Sequence, residues 1–316
     1  MTLPFLHDDP EFEPLIRIVA DERRLSEGIV EKDYWVTHCL WALQGTKLGI
    51  VFKGGTSLSK GFSIIQRFSE DIDLTIDRGA RTDLPALGSL TSTTKGATEA
   101  RRAFFRALTP ILAIPGATRI ALVPPDDGRW ISVEYRVDYP ERFALPRSIR
   151  PFLLLEPGVR PWKPPTLPRR LTSFLHEQVA KVGLLDRYVD NRPVDLPCIH
   201  PFVTLIDKLD AIVKRYARRE FLPEEFVRHY EDSAHLIGNW ERLPPLAEDV
   251  RQDVATRILG TRTLRPDDPA FVLKDEDRRR RLEVAHADIG PMFWGERIPL
   301  DDCCQRIQGW ITPHLR

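Results

Sequence analysis

The chain has 316 residues, in which 46 Lys and Arg balance 46 Asp and Glu. That length suits two lobes better than one core. The neutral balance excludes a global field drawing the protein to polyanions, so any nucleic-acid contact must come from local patches. The opening, MTLPFLHDDPEFEP, is acidic and too short in apolar run for a secretory leader, and nothing approaches membrane-spanning length. Cys39, Cys198, Cys303 and Cys304 show neither metal-ligand nor disulfide spacing, so a reduced, cytoplasmic chain is expected.

From Glu11 to Leu43 the sequence reads as helical, with Ile29, Val36, Leu40 and Leu43 on one face and charged residues around them. Glu31, Lys32 and Asp33 fit either a solvated ion-pair cluster or side chains reaching a site. Next comes GIVFKGGTSLSKGFSIIQRFSEDIDLTID, residues 49–77. Ile50-Val51-Phe52 is a buried-strand run, and Gly54-Gly55 allow a tight turn and close approach of backbone N–H groups to a ligand. Thr56 and Ser57 are suited to cap a helix with Leu58, Phe62 and Ile65 on one face. A phosphate site at its start would be flanked by Lys53 and Lys60. From Ser69 the period becomes two: Ile72, Leu74 and Ile76 alternate with Asp71, Asp73 and Thr75. Two carboxylates at i and i+2 on a strand point the same way and repel unless a cation lies between them, and Mg²⁺ is the natural choice. A phosphate cradle beside such a pair is the apparatus for moving a nucleotidyl or phosphoryl group.

GGTSLSK followed by RFSEDIDL resembles the AbiEii/AbiGii family of nucleotidyltransferase toxins, a branch of the DNA polymerase β-like superfamily. Residues 30–35, Val-Glu-Lys-Asp-Tyr-Trp, are similar to that family's E-K-D-aromatic opening. The resemblance implies a two-lobed α/β enzyme, with a small mixed sheet in the first lobe and a mostly helical second lobe completing a cleft.

After Asp77 a polar loop runs to about Gly96, and then a basic helix, Glu99–Leu112, carries Arg101, Arg102 and Arg106. Strands are expected at Arg119–Val123 and Trp130–Val137. On the second, Glu134 is the candidate third carboxylate and metal ligand, with Asp138 behind it; the same pattern also fits an ordinary half-exposed strand. Residues 140–170 are dense in Pro and Arg (Arg147, Arg150, Arg160, Lys163, Arg169, Arg170) and read as a connecting segment whose cations either face water or meet a phosphate backbone. The lobes are therefore divided as 1–165 and 166–316.

In the second lobe a helix leads from Pro201 through Leu205, Leu209, Ile212 and Val213. The segment 204–211 is similar to the family's T-x-x-E-K-x-x-A pattern, with Asp207 replacing Glu, and Arg228-His229-Tyr230-Glu231-Asp232 resembles its R-H/D-x-x-D element. The resemblance implies that Lys208 contacts nucleotide phosphates and that Asp232 is the second-lobe carboxylate, orienting that Lys or accepting a proton. Arg278–Arg281 form a basic run on a helix, and Met292-Phe293-Trp294 and Trp310 read as core anchors.

The activity so implied is Mg²⁺-dependent transfer of NMP from an NTP to an acceptor hydroxyl. Asp71 and Asp73 would hold the metal, while Lys53, Gly54, Gly55, Thr56, Ser57 and Lys60 would cradle the phosphates. In relatives the acceptor is often the tRNA 3′ end, the product blocks translation, and a cognate antitoxin is encoded nearby. Some family members are silenced by modification of a Ser placed as Ser69 is, a residue that equally suits a turn. Transfer to a protein or small molecule, and a degenerate module that only grips RNA or a partner, remain the alternatives.

Overall fold

The computed structural model describes residues 3–69, 71–77, 79–146 and 149–315. It is an α/β fold of eleven helices and a seven-stranded mixed sheet among these residues. No described helix is long and apolar enough to cross a membrane. The chain divides into two compact units, 1–61 with 70–198, and 62–69 with 199–316. Residues 166–198, on the far side of the 165/166 division drawn from the sequence, cluster with the first unit.

In the first unit the helical reading of 11–43 resolves into α1, Phe12–Arg23, and α2, Glu27–Gln44. The break falls at Arg24, which takes a left-handed φ of 56°, and Ser26 caps α2 by accepting a hydrogen bond from the Ile29 N–H. The expected single apolar face is not what forms: every residue of α2 from Gly28 to Leu40 is buried.

The sheet has the order β3-β4-β5-β2-β1-β7-β6, built from β1 (Gly49–Phe52), β2 (Asp71–Asp77), β3 (Arg119–Val123), β4 (Glu134–Asp138), β5 (Leu153–Gly158), β6 (Thr166–Arg169) and β7 (Leu196–Ile199). β2 runs antiparallel to β1 and parallel to β5. The segment read as a connector therefore supplies an interior strand of the sheet. Leu153, Leu154 and Leu155 are buried there, and a strand covered in this way appears in sequence as a short apolar run rather than an alternation. Pro157 lies in this strand, and its carbonyl accepts from the Val133 N–H at 3.2 Å.

Three more helices complete this unit: α3 (Gly54–Thr56), α4 (Lys95–Leu108) and α5 (Phe174–Lys181). α4 is not the free basic helix it resembles. Arg101 is 1% exposed and donates to the carbonyls of Arg129, Ser89 and Ser92, while Arg102 pairs with Glu99.

The second unit contains the helices α6 (Pro201–Tyr216), α7 (Arg228–Gly238), α8 (Glu248–Leu259), α9 (Pro269–Val272), α10 (Glu276–Asp288) and α11 (Leu300–His314). The expected helical continuation through Phe62 and Ile65 does not form. Residues 62–69 instead run without helix within this unit, with the Phe68 N–H donating to the Met292 carbonyl at 2.7 Å and the Trp294 N–H to the Gln66 carbonyl at 3.1 Å. Met292 and Trp310 are core residues as read, whereas Trp294 is 38% exposed. Three of the four cations in the basic run on α10 are engaged within the chain: Arg278 and Arg281 donate to carbonyls at Tyr216, Arg218 and Phe221, and Arg279 pairs with Glu283 and Asp301.

Candidate active site

The turn after β1 is stitched to the start of β2. The Lys53 N–H donates to the Asp73 carbonyl at 3.0 Å, and the Thr56 hydroxyl donates to the Asp71 carbonyl at 2.7 Å. Gly54 has φ +76°, and a Cβ there would lie 2.0 Å from Asp73 Oδ2, so both conformation and space demand glycine. The helical segment beyond this turn is shorter than the sequence suggests. α3 is a single turn whose N-cap position is Lys53, with no side-chain cap, and it passes into a π-helical turn at Ser57–Gly61. Thr56 and Ser57 are therefore inside the helical segment and buried, at 2% and 1% exposure, instead of capping it.

Asp71 and Asp73 share one face of β2 by the two-residue period. Asp71 Oδ1 accepts from Arg150 Nη1 at 2.8 Å, and Asp73 Oδ1 from Lys53 Nζ at 2.8 Å. Burial works to lower the Lys53 pKa, but the charge and hydrogen bond of Asp73 outweigh it and hold the ammonium above its usual range. Lys60 does not join this group. Its ammonium lies 2.5 Å from Asp33 on α2 and donates to the Thr172 carbonyl.

The carboxylate level with Asp73 on the neighbouring strand is Glu156, paired in register on β5. Burial, and then the charges of Asp73 and Asp71, push its pKa up to about 7. Glu134 lies on β4, separated from β2 by β5, and is exposed; Asp138 on the same strand pairs with Arg136 at 2.6 Å. The sequence reading passed over Glu156 because it stands in the Pro- and Arg-rich stretch. The signal that could have found it is the acid closing the apolar run 152–155.

Among the described residues no group of three His, Cys, Asp or Glu stands in metal-holding proximity. The donor set still fits a small hard cation. Mg²⁺ uses one or two carboxylates and completes its shell with water and substrate phosphate oxygens, and Asp71 and Asp73 offer that number of hard oxygen donors.

Glu31, Lys32 and Asp33 do not form a solvated ion-pair cluster; each clasps a distant part of the chain. They are 0%, 0% and 3% exposed. Glu31 accepts from the N–H groups of Arg142 and Phe143, Lys32 donates to the Arg150 carbonyl at 2.6 Å, and Asp33 accepts from the Phe174 N–H. Lys32 thereby fixes the backbone of the residue whose guanidinium meets Asp71. Of the other cations in that segment, Arg147 lies outside the described residues.

The second unit holds its own charged cluster. Asp232 on α7 receives Arg67 Nε and Nη2, each at 2.7 Å, and Lys208 Nζ of α6 at 2.7 Å. Burial alone would raise the Asp232 pKa, but Arg67 and Lys208 together hold its carboxyl well below the ordinary range. Burial, reinforced by Lys208 and Arg228, keeps His229 well below its usual pKa. Arg67 belongs to the RFSEDIDL stretch, yet the sequence assigned it no role. Ser69, two residues on, is 9% exposed.

No curated protein matches the chain. A family model described as nucleotidyl transferase AbiEii toxin, Type IV TA system, matches residues 39–299. That span takes in the Gly54 turn, the Asp71/Asp73 strand, Glu156, and the Lys208 and Asp232 helices. The chain therefore belongs to the AbiEii nucleotidyltransferase toxins of Type IV toxin–antitoxin systems.

Proposed function

We propose that this nucleotidyltransferase toxin transfers NMP from an NTP to the 3′ end of tRNA, with Mg²⁺, and so blocks translation. The observation that carries the reading is the Asp71/Asp73 face, packed against Gly54 and level with Glu156. Asp71 and Asp73 would hold the metal, which when bound neutralises triphosphate charge and polarises the phosphoryl group. Lys53 and Arg150, already seated on these carboxylates, offer positive charge to the phosphates, with Gly54 and Gly55 keeping the turn clear of side chains.

In the reaction an acceptor hydroxyl oxygen attacks the α-phosphorus, the bond to the bridging oxygen breaks, and pyrophosphate leaves. Glu156 is suited to take the hydroxyl proton, because a base with pKa near 7 matches the working pH. Lys208 is kept as the second unit's phosphate-contacting cation. Asp232, chelated by Arg67 and Lys208, is better suited to orienting that Lys than to accepting a proton. The antitoxin is encoded nearby and acts through Ser69. A phosphate there adds about two negative charges near the metal carboxylates in sequence. Ser69 is buried, so its modification requires local opening.

Incubating the purified protein with each labelled NTP and total tRNA tests the reading, with Asp73→Asn as control. Label on RNA that disappears in the variant supports it. Label on a protein or small molecule instead moves the acceptor elsewhere, and no label under any NTP removes the transfer reading.

A further inference from the structure

The face that carries Asp71 and Asp73 continues along β2 to Thr75 and Asp77, and β1 answers with Val51 and Gly49 in register. On the opposite face Ile50, Phe52, Ile72, Leu74 and Ile76 are all buried. Val51 and Thr75 are half-buried and Asp77 is exposed. β5 runs parallel to β2, from Asp73↔Glu156 to Thr75↔Gly158, and the chain leaving it reaches this same surface at Arg160–Pro164. The result is a cleft of about 540 Å³ whose walls include Val51, Thr75, Asp77, Arg160, Trp162 and Lys163.

The chemistry of these walls is specific. The Arg160 guanidinium lies 5.7 Å from the Trp162 ring centroid, Trp162 is half-buried, and Lys163 is exposed. Two cations and an indole face one carboxylate, Asp77. Thr75 and Asp77 lie two and four residues beyond Asp73, roughly 7–13 Å along the strand.

We propose that this cleft binds the single-stranded 3′ end of the acceptor RNA, with a base stacked on Trp162 and backbone phosphate met by Arg160 and Lys163. An aromatic platform interleaved with cations suits a nucleobase and its phosphates, since every base has a π-face and every linkage a negative charge. The acceptor fits better than the incoming nucleotide. The cations placed for a triphosphate, Lys53 and Arg150, sit at the Gly54 end of β2, whereas this cleft lies at the other end, leaving the attacking strand its own approach. The inference rests on transfer to RNA as proposed above and names the surface that presents the acceptor.

The test separates the two ideas. Binding of a short single-stranded RNA with a tRNA acceptor-end sequence is measured without NTP, alongside NTP affinity and label transfer. Trp162→Ala is expected to weaken RNA binding about tenfold or more. Trp162→Phe retains most of it, and Lys163→Glu, at an exposed position, weakens it and lowers the salt dependence by about one counterion. NTP affinity stays unchanged in all three. Wild-type RNA labelling with undiminished RNA binding in Trp162→Ala and Lys163→Glu overturns the cleft assignment alone. A loss confined to NTP affinity assigns the cleft to the incoming base and overturns it equally. No RNA labelling by the wild type removes the acceptor reading and the assignment with it.

Discussion

Asp71 and Asp73 hold cations that partly face solvent: the Arg150 side chain is 46% exposed and that of Lys53 25%. Asp232 is 0% exposed, and its partners Arg67 and Lys208 are 2% and 7% exposed. The first arrangement crowds Asp71, Asp73 and Glu156 along two adjacent strands under cations that water can replace. The second surrounds one buried carboxylate with two buried cations. Crowded acids with exchangeable counter-charges suit the metal and triphosphate proposed for them, whereas the buried triad balances most of its charge within itself. The two clusters thus differ in exposure and charge balance, although both use the same residue types.

The contrast can be broken experimentally, and the largest effect should come from Asp73→Asn. Losing one metal carboxylate removes several kcal/mol of transition-state stabilisation, so label transfer should fall on the order of a thousandfold. Its unfolding free energy, measured in urea, should stay within about 1 kcal/mol, because the Lys53 pair is partly exposed. Asp232→Asn should behave in the reverse sense. It strands two buried cations and should cost about 3–5 kcal/mol in the same urea measurement. Equal destabilisation by the two variants would dissolve the distinction.

Arg150→Ala is the intermediate case. An ion pair this exposed contributes under about 1 kcal/mol, so stability should barely change. Freed of its competitor, Asp71 should bind Mg²⁺ more readily, lowering the half-saturating metal concentration by roughly two- to fivefold in a metal titration.

The last prediction is one of pH and concerns Glu31. Burial, opposed by the Arg142 and Phe143 N–H groups and the Arg142 charge, pushes its pKa from 4.5 up to about 7. A raised folded pKa means that its contribution to stability is present below about pH 4.5 and is lost as pH rises through about 7. His38 and His176, which burial lowers to about 4, act in the opposite sense, losing stability as pH falls from 6.5 through 4. The diagnostic is therefore a difference. Denaturant midpoints of Glu31→Gln minus wild type should climb between pH 5 and 7, and a flat difference would show that Glu31 does not titrate with folding.

The amino-acid sequence by itself determined the acidic strand: alternation from Ile72 to Ile76 put Asp71 and Asp73 on one face, and Gly54-Gly55 announced the turn against them. It also carried the family, through motifs that remain local. The tertiary structure decided the rest, because partners distant in sequence leave no periodic trace. Glu156 meets Asp73 only through a parallel strand pairing, and an interior strand with a proline in it reads as a linker. Arg67 meets Asp232 across 165 positions, and Lys32 meets Arg150 across 118. Charged residues such as Arg101 and Glu31 look solvent-facing until the fold supplies the carbonyls and N–H groups that make their burial tolerable.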